Sequence, residues 1–187
     1  PTPSTATVGT ITYYVSQRWG TACETSRTPI TVTVNAKPSA PLAASVTYCQ
    51  RAKASPLLAS GTNLLWYTTA TGGTGSTTAP TPSTLTAGTT NFYVSQTVNG
   101  CESNRTTIAV LVKPTPDAPV SNSIEYCQGA IALPLMANAT VGATLQWYTL
   151  ETNGTASTSA PTPSTTSVGS ITYYVSQLLN ACESIRT

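Results

Sequence analysis

The stretch Ile11-Thr12-Tyr13-Tyr14-Val15-Ser16-Gln17 sets Ile11, Tyr13 and Val15 on one face of an extended chain and Thr12, Tyr14 and Ser16 on the other. Alternation with period 2, in β-branched and aromatic residues, specifies a β-strand. The stretch returns as Phe92-Tyr93-Val94-Ser95-Gln96 and as Tyr173-Tyr174-Val175-Ser176-Gln177, and its surroundings return with it. Pro1-Thr2-Pro3-Ser4-Thr5 recurs at Pro80 to Thr84 and at Pro161 to Thr165. Cys23-Glu24, with Arg27 three residues after the Glu, recurs as Cys101-Glu102 with Arg105 and Cys182-Glu183 with Arg186. Tyr48-Cys49-Gln50 matches Tyr126-Cys127-Gln128, and Trp66-Tyr67-Thr68 matches Trp147-Tyr148-Thr149. The offsets of 76 to 81 residues are too long for a solenoid and suit a small domain.

Two Pro-rich joints mark the boundaries, Lys37-Pro38-Ser39-Ala40-Pro41 and Lys113-Pro114-Thr115-Pro116-Asp117-Ala118-Pro119. Each follows an alternating run, Ile30 to Val34 and Ile108 to Val112, as a linker follows a final strand. The expected organisation is the C-terminal half of a repeat over 1–35, a complete repeat over 36–112, and a repeat lacking its last strand over 113–187. The chain reads as a window on a longer array.

Composition narrows the chemistry. Only 7% of the 187 residues are charged and 40% are apolar, where about 25% charged is ordinary. Hydroxyls take the place of charge, with 38 Thr and 20 Ser. There is no His, which removes imidazole acid–base chemistry and His metal sites. The net charge of +2 comes from eight basic and six acidic side chains, so no basic patch for nucleic acid can be assembled. No apolar run reaches the ~18 residues of a membrane span, so no direct membrane insertion is expected.

Leu64, Trp66 and Thr68 share a face, as do Leu145, Trp147 and Thr149, while the other face exchanges Leu65 for Gln146. The expected core is therefore Trp66 and Trp147 with Tyr13, Phe92, Tyr173, Val15, Val94 and Val175. Tyr14, Tyr93, Tyr174, Tyr67 and Tyr148 are expected to point outward. Val98-Asn99-Gly100 reads as a hairpin turn. Six or seven short strands per repeat, without an amphipathic helix, suggest an all-β fold of two-sheet sandwiches.

The order Cys49, Trp66, Cys101 resembles the Cys, Trp, Cys pattern of immunoglobulin domains, with Val15, Val94 and Val175 standing where the second Cys would be. With the motifs Pro-Thr-Pro-Ser-Thr, Gly-x-x-x-Tyr-Tyr-Val-Ser-Gln, Cys-Glu-Ser and Lys-Pro-x-x-x-x-Pro, the chain resembles the tandem Ig-like domains of large Bacteroidota cell-surface proteins. The resemblance implies tandem Ig-like β-sandwiches joined by short Pro-rich linkers, export by the type IX route, and adhesins that include those of gliding motility. The same domains also accompany secreted polysaccharide-degrading enzymes.

Five cysteines without a Cys-x-x-Cys spacing argue for disulfides over zinc. Equal placement in successive repeats pairs Cys49 with Cys101 and Cys127 with Cys182, one bridge at one end of each sandwich, and leaves Cys23 with a partner before residue 1. Disulfides imply an oxidising compartment. Glu24, Glu102 and Glu183 are read as partners in a local ion pair or hydrogen bond, against a role as ligands or acids. A glycosidase needs a second carboxylate that no repeat supplies, and calcium needs clustered oxygens. Arg18 and Trp19, in a hairpin loop one residue longer than its counterparts, are candidate surface contacts, for a sugar ring or for the joint with a neighbouring domain.

These readings give a non-catalytic chain without cofactor or metal, extracellular and at the cell surface. Its partners are neighbouring repeats and, through regions outside the chain, surface polysaccharide or an outer-membrane anchor protein. It serves as stalk or spacer repeats of an adhesin, or as an accessory polysaccharide-binding module of a secreted enzyme.

Overall fold

The computed structural model describes residues 1–21 and 23–187. Among them the regular elements are strands only. The first repeat contributes β1 (Gly9–Val15), β2 (Arg18–Trp19), β3 (Cys23–Glu24) and β4 (Thr28–Val34). The middle repeat contributes β5 (Leu42–Ala43), β6 (Val46–Cys49), β7 (Ala59–Ser60), β8 (Leu64–Tyr67), β9 (Gly88–Val98), β10 (Cys101–Glu102) and β11 (Thr106–Lys113). The third adds β12 (Val120–Ser121), β13 (Ala137–Asn138), β14 (Thr144–Tyr148), β15 (Tyr174–Leu179) and β16 (Cys182–Glu183).

By contacts the chain forms two compact units, residues 1–45, 56–81 and 91–109, and residues 46–55, 82–90 and 110–187. They do not follow the sequence repeats, because the middle repeat contributes to both. In the first unit β1 and β4 form an antiparallel ribbon from Gly9↔Val34 to Val15↔Thr28. There, too, β5 pairs with β7 and β8 lies antiparallel to β9. In the second unit β6 runs parallel to the end of β11, with Val46 opposite Val110 and Cys49 opposite Lys113. That unit also holds β12 with β13, and the sheet β14-β15-β16.

The turns follow their residues. Asn99 and Gly100 both have positive φ, 50° and 75°, the type I′ hairpin that Asn-Gly favours. The third repeat makes the same turn with Asn180 and Ala181, at 53° and 66°.

Each Trp is buried against the valine opposite it: Trp66 faces Val94 and Trp147 faces Val175. The backbone of each Trp also exchanges hydrogen bonds with a serine, Ser76 or Ser157, at 2.8–2.9 Å. Tyr13, Phe92 and Tyr173 are half-buried. Two expectations need correction. Val15 is 49% exposed, since β1 lies in a two-stranded ribbon with no Trp-bearing strand beside it to cover that face. Tyr67 and Tyr148 are not outward but buried, because β8 and β14 are covered on both faces at this end.

Candidate functional site

The covering on the second face is a recurring polar cluster. In the middle repeat the Tyr67 and Ser95 hydroxyls both donate to Oε1 of Glu102, at 2.7 and 2.6 Å. The Arg105 guanidinium lies 3.3 Å from the Tyr67 ring centroid and donates to the carbonyl of Thr69. Register brings these groups together: Tyr67 is opposite Tyr93, and Glu102 is opposite Thr97 on the same strand as Ser95. The third repeat repeats the arrangement, with Tyr148 and Ser176 donating to Glu183 and Arg186 stacked 3.3 Å over Tyr148. The first repeat keeps Ser16 donating to Glu24. There Arg27 stands 3.7 Å from Glu24 as an exposed ion pair, an interaction of small worth.

Ser95 and then Tyr67 hold the Glu102 carboxyl below its ordinary range by hydrogen bonding, against the opposing effect of burial and aided by Arg105 and Lys37. Burial, followed by the bond to Glu183, pushes the Tyr148 phenol up. A carboxylate held ionised by two hydroxyl donors is a structural acceptor, which agrees with the local reading of the recurring Glu.

The glutamine after each serine fixes the joint. Gln96 Nε2 donates to the carbonyl of Ser39 at 2.7 Å, while its Oε1 accepts from the Thr62 amide. Gln177, 1% exposed, does the same with Asp117 and Thr140. The Ser-Gln and Cys-Glu-Ser motifs thus anchor a Pro-rich linker onto a hairpin. Sequence reasoning did not assign these roles to Tyr67, Ser95 and Gln96 or to their counterparts, although their recurrence in register was the available signal.

The cysteines depart from expectation. Cys49 is bonded to Cys182, with 5.5 Å between Cα atoms, and Cys23, Cys101 and Cys127 are free thiols. The pairings Cys49–Cys101 and Cys127–Cys182 are therefore corrected. Cys49 stands beside Lys113 at the end of β11, whereas Cys101 precedes Thr106 at its start. Seven steps of strand put about 23 Å between those ends, far beyond the ~7 Å within which Cα atoms can be bridged.

Trp19 is 89% exposed and pairs across its hairpin with Cys23. With Arg18, Gln17, Glu24 and Thr25 it lines an open groove. Arg18 is turned to the carbonyl of Thr21 at 2.8 Å. Among the described residues no three His, Cys, Asp or Glu side chains gather as a metal site, and no helix is long and apolar enough to cross a membrane.

No curated protein matches the chain. The family described as Ig-like domain CHU_C associated matches twice in tandem, over residues 38–114 and 116–187. Domains of this family are typical of extracellular proteins and typically non-catalytic. With strands as its only regular elements among the described residues, Trp-centred cores and the parallel β6–β11 pairing, the chain belongs to the CHU_C-associated Ig-like domain family and carries its domains in tandem.

Proposed function

We propose that this chain is a run of spacer repeats in a secreted cell-surface adhesin of the Bacteroidota type, a non-catalytic stalk that holds a binding region away from the cell. The observation that carries this reading is the bond between Cys49 and Cys182. It joins the second Tyr-Cys-Gln block's predecessor to the last Cys-Glu hairpin, so that consecutive repeats share one covalent tie. Such a tie serves transmission of force and adds nothing to a reaction. The recurring polar cluster supports the same reading, since it spends Tyr, Ser, Glu and Arg on anchoring hairpins and linkers.

The competing reading, an accessory polysaccharide-binding module, needs a recurring exposed aromatic platform. Burial of Tyr67 and Tyr148 under Arg105 and Arg186 removes two of the five recurring candidates, and of Tyr14, Tyr93 and Tyr174 only Tyr14 is exposed, the other two being half-buried. The two readings separate by replacement in the native surface protein. If this segment is exchanged for unrelated Ig-like domains of equal length, attachment of cells should be retained. Loss of attachment, together with retention of the isolated chain on a polysaccharide column, would establish the binding module instead.

A further inference from the structure

Four hydrogen bonds of the turn that presents Cys49 recur in the turn that presents Cys127, although the Gln50 amide's further bond to the Lys113 carbonyl has no counterpart there. Gln50 and Gln128 donate through Nε2 to the carbonyls of Leu85 and Thr166. Arg51 and Gly129, both at positive φ, donate to the carbonyls of Thr84 and Thr165. The amides of Ala52 and Ala130 donate to the carbonyls of Cys49 and Cys127. The hydroxyls of Thr84 and Thr165, the last residues of the Pro-Thr-Pro-Ser-Thr segments, donate to the carbonyls of Ala52 and Ala130. Both cysteines therefore stand in one local frame. Only one of them is bonded.

The other half of the bond recurs as well. Cys182 lies opposite Leu179 in its hairpin, Cys101 opposite Val98, and Cys23 opposite Trp19. In each hairpin the second residue after the Cys donates its amide to the carbonyl of the Gln of the Ser-Gln motif: Ser184 to Gln177, Ser103 to Gln96 and Thr25 to Gln17. Exposure follows occupancy of the hairpin. Cys182, bonded to Cys49, with Lys113 Nζ donating to the neighbouring Asn180 carbonyl, is 1% exposed. Cys101 is half-buried, in a hairpin on which Asn35 donates to the carbonyl of Asn99 and Lys37 to Asn104. Cys23 is exposed beside the bare indole of Trp19.

We infer that Cys127 is a docking site for the Cys-Glu hairpin of a further Ig-like repeat of this kind, closed by the same disulfide, and that Cys23 and Cys101 are the reciprocal halves. The rule is a stagger: the Tyr-Cys-Gln cysteine of one repeat bonds the hairpin cysteine of the next. Trp19 then belongs to such a joint, in the place that half-buried Leu179 takes in the closed one. This inference needs only the repeat architecture and stands apart from the adhesin reading. Closure requires a disulfide oxidant. The Cys127 thiolate attacks a glutathione disulfide and releases one glutathione. The hairpin thiolate then attacks that mixed disulfide at the Cys127 sulfur and releases the second.

The test extends the full chain in register. Arg186-Thr187 corresponds to Arg105-Thr106, so a copy of residues 107–187 placed after Thr187 continues the chain in register with the sequence of β11 and one further repeat. In the appended copy Cys127→Ser leaves Cys182 as its single thiol. After equilibration in reduced and oxidised glutathione, peptide mapping should find Cys49–Cys182 and Cys127–Cys182 bonds in the same molecule, with Cys23 and Cys101 alkylated. Adding Cys182→Ser in the appended copy should make Cys127 alkylatable while Cys49–Cys182 persists. A Cys127 that stays alkylatable in the first extended chain would overturn the inference. So would a Cys127–Cys182 bond accompanied by a free Cys49, which is the within-repeat pairing. Wherever Cys49 is bonded, persistence of Cys49–Cys182 reports that the chain has folded.

Discussion

A bond between Cys49 and Cys182 changes what stretching can do to this chain. Tension applied between residue 1 and residue 187 crosses from Cys49 to Cys182 through the sulfurs, and residues 50–181 carry none of it. The bond spans 133 positions, so at ~3.5 Å per residue its reduction should release about 470 Å of additional contour. In the chain-entropy account, closing a loop of this size stabilises the folded state by up to about 5 kcal/mol. Single-molecule stretching of the whole chain with and without reductant reads the contour directly, and Cys182→Ser should give the long contour with no reductant present. Two within-repeat bonds would instead release separate increments of roughly 180 and 190 Å. Either that pattern or equal contours in both conditions would refute the reasoning. A chain that yields only residues 1–48 and 183–187 before covalent bonds take the load stays short under force, whatever its repeats unfold to when reduced.

Three further outcomes follow from the packing and the polar cluster. Trp66→Ala should cost roughly 3–5 kcal/mol in denaturant unfolding, as large aromatic-to-Ala core changes do, because Trp66 is 5% exposed against Val94. Tyr67→Phe should cost about 2 kcal/mol in the same measurement, the worth of a hydrogen bond to a charged acceptor, and an unchanged midpoint would show that the Tyr67–Glu102 bond is dispensable. Stability against pH should fall at both ends. Glu102, lowered when folded, contributes stability that is present above its unfolded pKa and lost as pH drops through the folded one; Tyr148, raised when folded, contributes stability that is present below its unfolded pKa and lost as pH climbs through the folded one.

The fold was legible because its signal is local. Alternation in Tyr13-Tyr14-Val15, the Asn99-Gly100 turn and the Trp66 and Trp147 strands each declare themselves within a few residues, and repetition at 76 to 81 residues multiplied every one of them. The burial of Tyr67 was not legible, since alternation describes one sheet face and says nothing of an Arg stacking on the other. The disulfide was hidden for a stronger reason. In a periodic sequence, pairing Cys49 with Cys101 and pairing it with Cys182 differ by one whole repeat, so equal spacing supports both alike. What separates them is strand direction. Had β6 and β11 been antiparallel, Cys49 would lie near the start of β11, the end that follows its own repeat's hairpin. Because they are parallel, with Cys49 opposite Lys113, the cysteine is carried to the end where the chain leaves for the next repeat. The hairpin that meets it there is the next repeat's hairpin, and a bond within one domain becomes a bond between two.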